Sequence, residues 1–401
     1  MRLWRDESGQ ALVMSILFMT MLLAFMALAV DVGILFRARR AVQAAADAAA
    51  VAAAEDYKLN GTNKLTYATN GGIAAATANG YTNGTKGVAV TITPLNTGLY
   101  SWCTGCMQAT VNAPNPTFFM SLFNYNSIDV GARAVAGPPK SGGWENCMIL
   151  LGSTGADFNT TGSAAITLTN CGLIDDSNSG NAFSSTGAIT MTARSIGIVG
   201  GTSIGGASSI SPTPTTGITP SGDPLNLPAQ STAGCGAGLS YSGATTQTIN
   251  QGCYDGLTTA GSMTLHLNPG TYVFNGPISL GGSSTITGSN VTIYFNSTFS
   301  IAGAVTMNLS APTGGAMNGI LFFEAPGDAN TVFLNGAAAS NLTGIVYMPD
   351  GKLDMTGAAS MSLYLAFVVK QLQSTGAISM VVNDYLTLNP SSPLATITML
   401  E

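Results

Sequence analysis

The sequence predicts three parts in series: an N-terminal transmembrane α-helix, a small α+β domain, and a mainly-β part folded as a right-handed parallel β-helix, or β-solenoid. Three observations lead to this fold class. An uncharged apolar run lies near the N-terminus, short alternating segments follow it, and a glycine motif recurs at intervals of about 20 residues towards the C-terminus. A β-sandwich of short, regular strands is the alternative for the last part.

The composition excludes several classes of protein. Only 8% of the 401 residues are charged and 46% are hydrophobic, whereas charged residues make up about 25% of a typical globular protein. The net charge of −6 argues against nucleic-acid binding, which needs a Lys/Arg footprint. The high apolar content argues against a disordered acidic tail. One histidine argues against His-based catalysis and multi-His metal sites.

The run Ala11–Val30 carries no charge and as a helix would span ~30 Å, the thickness of a bilayer core. A cleaved signal peptide has an apolar core of only about 7–15 residues, and here Asp6 and Glu7 precede the run. We therefore predict a retained membrane anchor that includes Ala11, Leu12, Val13, Leu22, Leu23, Phe25 and Val30.

The helix is expected to continue beyond the bilayer. Residues 41–54 read AVQAAADAAAVAAA, and alanine is the strongest helix former. One helix from about Leu12 to Glu55 fits this pattern. Its small-residue face would allow a close approach of another backbone, either from a second helix or from the chain's own domain. The sequence leaves both open.

The N-terminus resembles a known family. Gly9-Gln10-Ala11-Leu12-Val13 precedes the apolar run, Val30-Asp31-Val32-Gly33 ends it, and residues 39–50 read RRAVQAAADAAA. This order resembles the N-terminus of TadE/TadG-like proteins of the Flp (tight-adherence) pilus. If cleavage followed Gly9, mature position five would be Met14, where type IV pilins have Glu. The usually uncleaved TadG-like branch is therefore the more similar one.

The resemblance implies a single-pass protein of the bacterial inner membrane that serves pilus assembly or adhesion. Its N-terminus would lie in the cytoplasm, and its C-terminal body would be periplasmic or extracellular. Six cysteines, an even number, agree with an oxidising compartment.

The predicted domains are residues 1–56 as anchor and Ala-rich helix, 57–137 as the α+β domain, 138–146 as linker, 147–390 as solenoid and 391–401 as tail. In the α+β domain, Cys103 and Cys106 form a CxxC motif. A redox site would need a thioredoxin-like setting, and a zinc site would need four ligands. A local disulfide is therefore preferred.

The solenoid prediction depends on a Gly-Ala or Gly-Ser step followed by alternating apolar residues. Successive steps begin at Gly162, Gly187, Gly206, Gly261, Gly282, Gly303, Gly336, Gly357 and Gly376. Five of the eight intervals are 19–21 residues, which is the length of one coil whose apolar face is buried only by stacking.

Prolines interrupt the repeat at 204–234, and proline removes ladder donors. This segment is expected to be an exposed loop or a lid over one solenoid face. Cys235 is expected to pair with Cys253. Cys147 is expected to pair with Cys171 and to cap the N-terminal edge of the first coil, although six cysteines allow fifteen pairings.

Candidate chemistry is sparse. Asp175-Asp176 is an adjacent acidic pair, and Asp350, Lys352 and Asp354 alternate, so that they could share a strand face. A turn at Pro349-Asp350-Gly351 followed by an exposed strand start is the preferred explanation of the latter group. His266 alternates with Met263, Leu265 and Leu267 and should face outward. We assign no catalytic, metal-binding or cofactor-binding residue and expect a protein that is not an enzyme.

One function is preferred, and two alternatives remain open. The first is a membrane-anchored envelope protein that assists Flp pilus assembly or surface adhesion. The second is a β-helix protein that binds or cleaves surface polysaccharides, and the third is a self-assembling surface-layer subunit. The expected partners are the membrane, with pilus-assembly proteins or surface glycans, and no nucleic acid. A homo-oligomer is left open.

Overall fold

The computed structural model describes residues 8–59, 63–101, 103, 105–138, 146–334, 340–356, 359–385, 388–389, 392–394 and 397–400. The chain forms two compact units, Met1–Pro139 with Ile397–Glu401, and Lys140–Thr396. Most of the predicted linker 138–146 lies outside the described residues, as do the repeat positions Gly336 and Gly357.

The first unit joins two helices to an antiparallel sheet. Its elements are α1 (Ser8–Leu59), α2 (Lys64–Ala78), β1 (Ala89–Pro94), β2 (Met107–Pro116) and β3 (Ser127–Gly137). Short 3₁₀ turns lie at Gly98–Tyr100 and Met120–Phe123. Part of the predicted tail, Thr398–Met399, adds a fourth strand beside β3.

The Ala-rich half of α1 packs on its own sheet. Val42, Ala46 and Ala53 are buried against β2 and β3 residues such as Val111 and Ala134. Gln43 Nε2 adds hydrogen bonds to Asp47 Oδ1 (2.7 Å) and to the Arg133 carbonyl (3.1 Å). The second helix α2 also packs on this half of α1, where a Cβ on Gly72 would lie only 3.1 Å from the Ala49 carbonyl oxygen. The small side chains thus let the chain's own sheet and its own second helix approach α1.

The second unit is a parallel β-solenoid of about 10 turns, and its parallel pairing excludes the β-sandwich. The first run of strands comprises β4 (Asn146–Leu150), β5 (Phe158–Thr169), β6 (Gly172–Asp175), β7 (Phe183–Thr192), β8 (Ile196–Ile198), β9 (Thr202–Gly205), β10 (Ser209–Ser211) and β11 (Thr215–Thr216).

The second run comprises β12 (Leu239–Tyr241), β13 (Thr246–Ile249), β14 (Gly252–Tyr254), β15 (Leu257–Thr259), β16 (Thr264–Leu267), β17 (Gly270–Phe274), β18 (Ile278–Leu280), β19 (Thr285–Ser289), β20 (Val291–Phe295), β21 (Phe299–Ile301), β22 (Thr306–Ser310), β23 (Ile320–Glu324), β24 (Thr331–Leu334), β25 (Asn341–Thr356) and β26 (Ala359–Asn383). From β12 to β22 each strand stacks on the strand three places later.

The order of coils in space differs from their order along the chain. The last strand, β26, pairs with the first strands of the unit: Phe367 is in register with Met148 of β4, and Leu372 with Phe158 of β5. The chain therefore enters the stack in its middle and winds to one end at β11. It then crosses to the opposite end at β12 and winds back to β26.

The crossing segment, residues 217–238, is called the strap below. It corrects the predicted loop 204–234, because Thr202–Gly205, Ser209–Ser211 and Thr215–Thr216 still pair as coil strands. The two prolines 212 and 214 fall between these short strands, where no ladder donor is needed.

The repeated glycines stack directly on one another at one corner of the coils. Gly162 is in register with both Gly376 and Gly187, and a Cβ on Gly187 would lie 2.0 Å from the Gly162 carbonyl oxygen. Only glycine allows the backbones to stack this closely. Inside the corner, buried side chains align between coils, as the rings of Phe158 and Phe183 do at 4.3 Å.

The six cysteines form three disulfides, Cys103–Cys106, Cys147–Cys171 and Cys235–Cys253, with Cα separations of 5.7, 5.5 and 4.5 Å. The expected capping role of Cys147–Cys171 is wrong. The strand that carries Cys147 lies between β26 and β6, inside the stack, and so has no open edge there to protect.

Candidate functional site

The N-terminal half of α1 exposes apolar side chains in all directions. It is the helix in the described chain that is long and apolar enough to cross a membrane. Among the predicted anchor residues, Leu12, Val13, Leu22, Leu23, Phe25 and Val30 are 47–66% exposed, and Ala11 lies in the same helix. Such a surface is stable in hydrocarbon and costly in water.

Asp31 ends the uncharged run and is almost fully buried. Its carboxylate accepts three backbone N–H bonds, from Phe118 (2.9 Å), Phe119 (3.1 Å) and Met120 (2.6 Å). These residues belong to the loop 117–126 that joins β2 to β3. One side chain of the helix thus satisfies three backbone donors of a loop that is distant in sequence.

The loop 117–126 also satisfies its own backbone. The N–H groups of Thr117, Leu122 and Tyr125 donate to the carbonyls of Asn126, Phe119 and Met120. Its segment TFFMSLFNYN carries no charge. Nevertheless, Phe118, Leu122, Phe123 and Tyr125 are 61–80% exposed. The loop therefore presents a hydrogen-bonded, uncharged and largely apolar surface.

In the solenoid, the strap covers an outward-facing row of aromatic side chains. Tyr294, Phe323 and Tyr347 are in register on β20, β23 and β25, and their rings are 4.9 and 5.2 Å apart. All three are almost fully buried. Their burial under the strap explains why this sheet is apolar on both faces.

The strap is fastened along the stack by polar contacts. The Ser221 and Gly222 N–H groups donate to the Asp176 carboxylate, each at 2.8 Å. Further along, the strap bonds to Tyr347 through Asp223 and Leu227. At the last step, Cys235 is bonded to Cys253. The adjacent Asp175 and Asp176 therefore bind different partners: Asp176 accepts hydrogen bonds from the strap, whereas Asp175 accepts the Ser177 N–H.

In the described part of the solenoid, three buried carboxyl groups have strongly raised pKa values. Burial and the charge of Asp175 raise the pKa of Asp157 to about 7. Burial raises the pKa of Asp175 to about 6, although the Ser177 N–H bond opposes the shift. Burial, with the charges of Asp328 and Asp350, raises the pKa of Glu324 to about 9.

Glu324 is fully buried, and neither carboxyl oxygen has a hydrogen-bond partner among the described residues. The sequence gives no local sign of this site, because the flanking run Ile320–Phe323 reads as an ordinary buried strand. Since a polymer could not reach a fully buried carboxyl group, these groups fit a structural role.

The alternating Asp350, Lys352 and Asp354 likewise do not form one group, because they bind different partners. Lys352 Nζ lies 3.7 Å from Asp354 Oδ2, whereas Asp350 accepts the Gly327 N–H at 2.7 Å. The predicted turn at 349–351 is instead an irregularity within β25, and Asp354 is buried. His266 faces outward as predicted and contacts Thr287 Oγ1 through Nδ1 at 2.6 Å.

Among the described residues, no group of three or more His, Cys, Asp or Glu side chains is placed to hold a metal ion.

Comparison with known families concerns the first helix. Residues 9–56 match the family model Tad, described as "Putative Flp pilus-assembly TadE/G-like". Residues 9–56 are thus a TadE/G-like segment. The matched residues lie within α1, Ser8–Leu59. No curated protein and no solved structure matches the chain.

The TadE/G-like segment therefore contains both functional halves of α1. Its first half is the exposed apolar helix, and its second half forms, together with α2, the helical side of the first unit's core. Asp31 lies between the two halves. Sequence reasoning used Asp31 only to end the apolar run, and its partners could not be found because they lie 87–89 residues away.

Proposed function

We propose that this protein is a single-pass inner-membrane protein that assists assembly or surface attachment of an Flp-type pilus, with its solenoid on the periplasmic side. The observation that carries the proposal is the coincidence of the TadE/G-like match with an apolar, exposed helix. Three disulfides support an oxidising compartment for the body.

We further propose that the solenoid binds or assembles and does not catalyse. The carboxyl groups with raised pKa are buried in the stack or under the strap, and the single histidine faces solvent beside a threonine. Broad faces with few charges suit repeated weak contacts with glycans or neighbouring proteins, which gain strength through avidity.

The packing of α1 dictates where a test of anchoring should cut the chain. Residues 42–54 contribute to the core of the first unit, so their removal would damage the fold as well as the anchor. A variant lacking residues 1–36 keeps this part of α1. It should leave the membrane fraction when exported by a cleavable signal, whereas the full chain should stay with membranes and yield its body to protease added from the periplasmic side.

The pilus role is tested by a helix exchange in a strain lacking the gene. One variant carries a leucine-alanine membrane helix of equal length in place of residues 9–30, so that Asp31 keeps its bonds to the loop 117–126, and its matched control is the natural chain. Both should reach the membrane, but only the natural chain should restore normal numbers of pili by electron microscopy. Normal piliation in the deletion strain itself would contradict the proposed role.

A further inference from the structure

The loop 117–126 lies at a depth along α1 that ordinary loops avoid. Asp31, which holds the loop, precedes the first exposed arginine of the helix, Arg37, by six residues, or about 9 Å of helix rise. Between them the helix surface stays apolar: Phe36 is 63% exposed, and Val32 and Ile34 are also exposed. The Arg-rich belt formed by Arg37, Arg39 and Arg40 suits lipid headgroups. The loop therefore lies on the hydrocarbon side of this belt.

The bonding of the loop fits that depth. A carboxylate and free backbone N–H groups are each costly in a bilayer, and the three bonds between Asp31 and residues 118–120 satisfy both at once. Phenylalanine, leucine and tyrosine side chains without nearby charge are the residues that favour the membrane interface. The exposed side chains of the loop are of these types.

We propose that the loop 117–126 is a second membrane contact, which inserts Phe118, Leu122, Phe123 and Tyr125 into the outer interface of the same bilayer that α1 crosses. The occupant is phospholipid, because the surface is continuous with the lipid-facing side chains of α1. Asp31 is the positioning residue that fixes the loop at this depth. The inference rests on the proposed membrane anchoring.

The first experiment measures the surroundings of single spin labels on the full chain in vesicles of phosphatidylethanolamine and phosphatidylglycerol. Labels are attached to an added cysteine, without reductant, in Phe123→Cys, Leu99→Cys and Leu22→Cys. Leu99 is 87% exposed and lies in the connection at the other end of β2, about 30 Å from the loop. It is therefore the matched exposed control.

The label at 123 should show a several-fold higher ratio of oxygen to nickel-chelate collisions than the label at 99. If the label at 123 meets the nickel chelate as readily as the label at 99, while the label at 22 stays in lipid, the loop proposal falls and the anchor stands. A water-exposed label at 22 would instead contradict the anchoring itself. A label at 123 that is shielded from both reagents would show a protein contact and would also overturn the lipid proposal.

The second experiment tests Asp31. In Asp31→Ala the label at 123 should lose most of its excess of oxygen collisions, because three unpaired N–H groups can then be satisfied only by water. Asp47→Ala, on the same helix, should leave the ratio unchanged. An unchanged ratio in Asp31→Ala would remove Asp31 from the proposal.

Discussion

The hydroxyl of Tyr347 donates a hydrogen bond of 2.6 Å to the carboxylate of Asp223, 124 residues earlier in the chain. The hydroxyl oxygen of Tyr347 in turn accepts a hydrogen bond from the Leu227 N–H at 3.3 Å. Burial and the Asp223 carboxylate raise the pKa of Tyr347, so that the donor keeps its proton at any physiological pH. This contact fastens the strap halfway between its disulfide and Asp176.

Removing the hydroxyl should weaken the whole solenoid. Tyr347→Phe removes two part-buried hydrogen bonds of the strap, one to Asp223 and one from the Leu227 N–H, each worth about 0.5–1.5 kcal/mol of unfolding free energy. Urea unfolding followed by circular dichroism measures this change. Tyr364→Phe, at an exposed tyrosine on β26, is the control and should change little. Equal stability of the two variants would show that the strap is not held here.

Because the pKa of Glu324 is raised in the folded protein, we expect the free energy of unfolding to fall as pH rises. Its pKa is about 9 in the folded protein against an ordinary 4.5, so the folded state binds the proton more tightly. Its stabilising effect is complete below about pH 4.5, declines between pH 4.5 and 9, and is lost above that range. The raised pKa values of Asp157 and Asp175 also lower the stability as pH rises. Their effect ends at about pH 7 for Asp157 and about pH 6 for Asp175.

Glu324→Gln keeps the shape and removes the ionisation. The urea midpoint of this variant should therefore stop falling between pH 7 and 9, the window in which the wild type continues to lose stability. Asp255→Asn, at an exposed carboxylate of the same unit, should retain the wild-type slope. A decline in Glu324→Gln as steep as in the wild type would assign the effect to another group.

The glycine corner predicts a strong contrast between two alanine substitutions at nearby positions. Gly187→Ala places a Cβ 2.0 Å from a backbone oxygen and should cost at least about 1–3 kcal/mol through overpacking. Gly180→Ala meets no atom within 4 Å and should be neutral or stabilising by about 0.4–1 kcal/mol. Thermal unfolding of both variants checks the difference, and similar melting temperatures would contradict the stacked corner.

We expect the strap to depend on the Cys235–Cys253 disulfide for its stability. Replacing both cysteines by serine frees a loop of 18 residues and should cost about 3 kcal/mol. The Cys103→Ser, Cys106→Ser pair, which spans only three residues, should affect the solenoid transition far less. Thiol labelling of unreduced, denatured wild-type protein should find few free thiols. Six reactive thiols would place the body in a reducing compartment.

Local patterns predicted the parts of the fold that depend on neighbouring residues. The run before Asp31 predicted the helix, and the spacing of Gly162, Gly187 and Gly206 predicted coils because the same corner recurs in each. The meeting of β26 with β4 could not be predicted, since similar apolar strands can stack in any order. Likewise, prolines indicate that the strap is irregular but carry no information about the aromatic row that it covers.

The position of the first coil in the middle of the stack bears on how the protein is made. During synthesis, residues 146–216 are the first part of the solenoid to be made, and one edge of β4 and β5 has no neighbour until Ala359–Asn383 follows. Open strand edges invite association with other chains. The nascent solenoid therefore keeps an open edge for almost the whole time of its synthesis, and a chain truncated before residue 359 leaves that edge permanently open to association with other chains.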